Sequence, residues 1–116
     1  MLHDYLKASD KTALVCAGQR LSYRELDERS NALANSLVAG GVERGDRVVV
    51  FADNTVETVV AFWAVLKANA VVSIVNPLTK ADKLRYYLDD CRAVALITDW
   101  QLRGEWLEVA ASAQHL

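Results

Sequence analysis

The chain has 116 residues, 53% of them hydrophobic and 24% charged, with a formal net charge of -2. That length suits one small domain, or a piece of a larger one, and the composition is that of a globular chain and not a disordered one. Thirteen Lys and Arg scattered among fifteen acids form no basic patch for a phosphate backbone, so no nucleic-acid partner is expected, and no apolar run approaches the roughly 20 residues of a membrane span.

The first expected element is a short helix around Leu2 to Lys7. Ala13-Leu14-Val15-Cys16 and Gln19-Arg20-Leu21-Ser22 then read as two strands of a hairpin, with Ala17-Gly18 at the turn. Ser22-Tyr23-Arg24-Glu25 has the spacing of a capping box, in which the Ser hydroxyl takes an early helical N–H and Glu reaches back to the cap. The helix it opens places Leu26, Ser30, Leu33 and Leu37 on one face and stops at Gly40-Gly41, where a positive φ is cheap.

Three further helix starts follow. Asn54-Thr55-Val56-Glu57 opens a helix to about Ala68, Thr79-Lys80-Ala81-Asp82 opens one to about Cys91, and Thr98-Asp99-Trp100-Gln101 opens the last. That last helix carries Leu102, Trp106, Val109 and Ala113 on one face. Ahead of the three starts lie Val48-Val49-Val50-Phe51, Val71-Val72-Ser73-Ile74-Val75 and Val94-Ala95-Leu96-Ile97. These runs are nearly continuous in apolar residues, the pattern of strands covered on both faces. The helix from Thr55 to Ala68 is apolar nearly all round and is expected to be buried on more than one side. Strand and helix alternating three times with long connections give an α/β fold. Its mostly parallel sheet of βαβ units forms three layers, preceded by the short β-hairpin.

Chemistry-bearing patterns are sparse. Neither G-x-G-x-x-G after a strand nor a P-loop occurs, and Gly40-Gly41-Val42-Glu43-Arg44-Gly45 lies between a helix and the following strand, the wrong side for a phosphate cradle. His3 and His115 sit at the two ends, with no serine in a nucleophile elbow to partner them. Cys16 and Cys91 lack metal-ligand spacing; they read as buried free thiols, with a disulfide between them as the other arrangement. Asp27-Glu28 and Asp89-Asp90 fall on expected exposed helix faces and read as solvated surface. A ligand of an open α/β sheet would meet the carboxyl ends of the strands, at Ala52-Asp53-Asn54, Asn76-Pro77 and Thr98-Asp99. The competing reading makes Asn54, Thr98 and Asp99 helix caps and Asn76-Pro77 a turn. No catalytic, cofactor-binding or metal-ligating residue is assigned. Met1-Leu2-His3-Asp4 puts an acid where a signal peptide carries basic residues, so a cytoplasmic location is expected.

Four segments carry a family likeness. Leu21-Ser22-Tyr23-Arg24-Glu25-Leu26 resembles the L-[ST]-Y-x-E-L segment of the adenylate-forming superfamily, which holds acyl- and aryl-CoA synthetases, peptide-synthetase adenylation domains and luciferase. Gly41-Val42-Glu43-Arg44-Gly45-Asp46-Arg47-Val48 resembles its G-V-x-x-G-D-x-V, and Asn54 before the apolar helix falls where the family has N-[ST]-x-E. Leu66-Lys67-Ala68-Asn69-Ala70, running on to Val75-Asn76-Pro77, resembles L-K-A-G-A-x-x-x-P-x-N-P, with Asn69 in place of the usual Gly and Ser73 where Pro is common. Asn tolerates a positive φ better than most residues, so the fold is expected to survive that exchange.

The resemblance implies that residues 1–116 are a single N-terminal subdomain fragment, the scaffold part of an AMP-dependent acyl- or aryl-CoA synthetase. Such an enzyme activates a carboxylic acid with Mg-ATP to an acyl-adenylate and passes the acyl group to a thiol such as coenzyme A. The family's phosphate loop, adenine motif, ribose aspartate and catalytic lysine match nothing here, so the chain alone is expected to bind no cofactor and to be inactive. The expected partner is the remainder of the ligase, or another copy, through open sheet edges. The rival reading is a truncated regulatory module that pairs with itself or with a full-length ligase.

Overall fold

The computed structural model describes residues 11–16, 19–53 and 55–116. The expected first helix, the Ala17-Gly18 turn and Asn54 lie outside these. Strands β1 (Thr12–Cys16) and β2 (Gln19–Ser22) pair antiparallel, with an irregular step between Thr12 and Leu14. Helix α1 (Tyr23–Ala39) begins in the expected capping box: Ser22 Oγ accepts from Glu25 N at 3.1 Å, and Glu25 Oε1 accepts from Ser22 N at 3.1 Å. Gly40 caps the other end, and Gly41 takes the positive φ, 106°.

The main sheet holds β3 (Arg47–Phe51), β4 (Val71–Val75) and β5 (Ala95–Thr98), all parallel, in the order β4-β3-β5. Helix α2 (Val56–Lys67) joins β3 to β4 on one face, and α3 (Ala81–Asp90) joins β4 to β5 on the other. Successive β3 residues point to opposite faces. Val48 packs with Val65 of α2, whereas Val49 and Phe51 pack with Leu84 and Leu88 of α3 and Val109 of the last helix, α4 (Arg103–Ser112). The helices α1 and α2 share small-residue contacts through Ala34, Ala64 and Ala68. The result is the expected three-layer α/β arrangement behind a hairpin.

Burial corrects one expectation. Only β3 is covered on both faces, with Val48 to Phe51 all at 0% exposure. The equally apolar β4 leaves Val71 and Ile74 exposed, and every residue of β5 is half-buried. Edge position, which composition does not encode, makes the difference.

Three helix starts also differ from expectation. The N-cap of α2 is Thr55, its hydroxyl accepting from Thr58 N at 3.4 Å. Thr98 is the last residue of β5, and Asp99 caps a 3₁₀ turn (Trp100–Leu102) that precedes α4. At α3 neither Thr79 nor Lys80 provides a side-chain cap; the N–H of Ala81 donates to Glu105 Oε2 of α4 at 2.8 Å. Glu105→Ala is therefore expected to cost about 1 kcal/mol, and Glu105→Gln, which keeps an acceptor, less; urea unfolding of the two variants side by side checks the order.

The pair Asp27-Glu28 is not uniformly solvated. Asp27 Oδ1 lies 2.7 Å from Lys67 Nζ, with the two side chains 19% and 5% exposed, and the ammonium also reaches Asp27 O at 3.2 Å and Asn31 Oδ1 at 2.9 Å. Asn69 has φ 60°, as the family's Gly at that position suggested, and its carbonyl accepts from Gly45 N at 2.9 Å. The exposed Arg92 holds φ 55° at the end of α3 with no such precedent in the sequence reading. Arg92→Gly is expected to raise stability by about 1 kcal/mol, by relieving the left-handed cost that a side chain pays. A higher melting midpoint than the parent chain is the result to look for.

Candidate functional site

Of the residues singled out at the carboxyl ends of the strands, Ala52, Asp53, Thr98 and Asp99 gather in space. A crevice of about 410 Å³ opens between the ends of β3 and β5, lined by Val50, Ala52, Asp53, Thr55, Glu57 and Thr58 on one side and Ile97 to Gln101 on the other. The chain leaves β3 for α2 on one face and leaves β5 for α4 on the opposite face, so the connections diverge here. Such a switch point is where open α/β sheets accept ligands.

Several of the polar groups around it, though not the exposed Asp53 and Glu57 side chains, are spent within the fold. Thr98 Oγ1 donates to Phe51 O at 2.5 Å and ties β5 to the centre of the sheet. Thr58 Oγ1 donates to Asp53 O. Asp99 uses Oδ1 to accept from Leu102 N at 3.1 Å and its carbonyl to accept from Trp106 Nε1 at 2.8 Å. Asn76 stands apart from this crevice at the end of β4, where Oδ1 accepts from Leu78 N at 2.9 Å and the carbonyl from Thr79 N at 2.9 Å, which makes Asn76-Pro77 the expected turn.

The charge of the crevice also argues against a nucleotide here. Among the described residues Asp53, Glu57 and Asp99 line it, and no Lys or Arg does. A triphosphate needs cationic or backbone N–H donors aimed at it, so these residues do not suit Mg-ATP. Among the described residues no group of three or more His, Cys, Asp or Glu could hold a metal ion. Cys91 is a free, half-buried thiol, less covered than expected, while the side chain of Cys16 and His3 lie outside the described residues. His115 is exposed; Asp89 accepts from Gln114 N at 3.3 Å and Asp90 is exposed, so the second acid pair forms no dyad. The glycine segment lies at the entry to β3, opposite the crevice, where Glu43 N donates to Asp46 Oδ2 at 2.8 Å and Gly45 N to Asn69 O.

One feature of the rim was not foreseen. Trp100 is 63% exposed, stands edge-on to Trp106 with centroids 6.0 Å apart, and carries the Arg103 guanidinium 5.0 Å from its centroid. The sequence signal was an aromatic residue one position after a helix cap, where a solvent-facing first turn is the rule.

The model of the AMP-binding enzyme family matches residues 3–116, and the chain belongs to that family. It is 36% identical over 92 residues to a medium/long-chain-fatty-acid–CoA/3-oxocholest-4-en-26-oate–CoA ligase of Mycobacterium marinum, covering 79% of this chain and 17% of that protein. It is likewise 36% identical over 93 residues to bacitracin synthase 1 of Bacillus licheniformis, covering 80% of this chain and 2% of the synthase. Its fold superposes on an anthranilate CoA ligase solved in complex with anthranoyl-AMP with a TM-score of 0.91 and 26% identity, over 98% of this chain and 23% of that one. The chain thus spans less than a quarter of the length of these relatives.

Proposed function

We propose that this segment is the N-terminal scaffold of a larger AMP-forming acid–thiol ligase and is catalytically silent by itself. The larger protein would join a carboxylate to the α-phosphate of ATP, releasing pyrophosphate, and then exchange AMP for the sulfur of a thiol such as coenzyme A. The observation that carries this reading is the superposition of nearly the whole chain on less than a quarter of an anthranilate CoA ligase. The acidic crevice at the ends of β3 and β5 agrees with it, since its residues do not suit a triphosphate. Val75-Asn76-Pro77 favours a CoA ligase over a peptide-synthetase domain, which tends towards an Asp-Pro ending. A free thiol at Cys91 and the substrates ATP and coenzyme A support a cytoplasmic setting.

Pyrophosphate exchange into ATP with a panel of acids tests the silence of the segment. None is expected from the 116-residue chain, and robust exchange would overturn the reading. The half-covered edges of the sheet favour one alternative, a short natural product that pairs with another copy or with a full-length ligase. The mass of the native product separates the two: a band several-fold above 12.8 kDa supports the ligase, and one at 12.8 kDa the short module.

A further inference from the structure

We draw no further inference here: the strongest candidate, the exposed apolar patch of Ile74, Leu78, Tyr86 and Tyr87 where β4 passes into α3, carries nothing because nothing in the structure shows what covers it.

Discussion

Phe51→Ala is expected to lower the unfolding free energy of the chain by about 3–5 kcal/mol, the range for emptying a fully buried aromatic site. Phe51 ends the central strand at 0% exposure and belongs to one buried cluster with Val49, Val75, Leu84, Leu88, Ala93 and Val109. Those neighbours come from three strands or their connections and from both helices of one face, so no single element can slide in to fill the gap. A loss of that size is a large share of the 5–15 kcal/mol that holds a typical domain together. The comparison that gives the result meaning is Ile74→Ala. Ile74 belongs to an equally apolar strand but is 57% exposed, and its truncation is expected to cost about 0.5 kcal/mol or less. Urea midpoints at unchanged slope measure both, and similar losses at the two positions would refute the assignment of β3 to the centre.

The second large effect is asymmetric. Asp27→Ala is expected to cost about 3 kcal/mol, because it leaves the charge of Lys67, whose side chain is 5% exposed, without its counter-charge. Lys67→Met removes the buried charge itself, keeps most of the stem's packing, and frees Asp27, at 19% exposure, to meet water; a cost of about 1 kcal/mol or less is expected. The double variant should therefore resemble Lys67→Met and not the sum of the two. Equal costs for the two single changes would mean that the pair behaves as a surface ion pair, worth less than about 1 kcal/mol. The bridge joins α1 to the last residue of α2, and with the Ala34, Ala64 and Ala68 contact it sets how closely those helices approach.

The sequence by itself determined whatever depends on near neighbours. The capping box of Ser22 and Glu25 closes over three residues, the stop after α1 needs only a residue that accepts a positive φ, and the alternation of strand and helix is carried by runs of four to seventeen residues. Family membership was legible for the same reason, since its four segments mark local turns and starts: Asn69 at φ 60° is one of them. Tertiary structure decided the rest. Val48–Phe51 and Val71–Val75 read alike, but the sheet order buries one and leaves the other at an edge. The N–H of Ala81 is satisfied from 24 residues away, and Lys67 is neutralised from 40 residues away. The strand ends looked like candidate ligand positions, yet Thr98, Asp99 and Asn76 turn their oxygens onto the chain's own backbone. Local pattern fixes which conformation a segment prefers; which side chain meets which buried charge or open donor depends on the path of the whole chain.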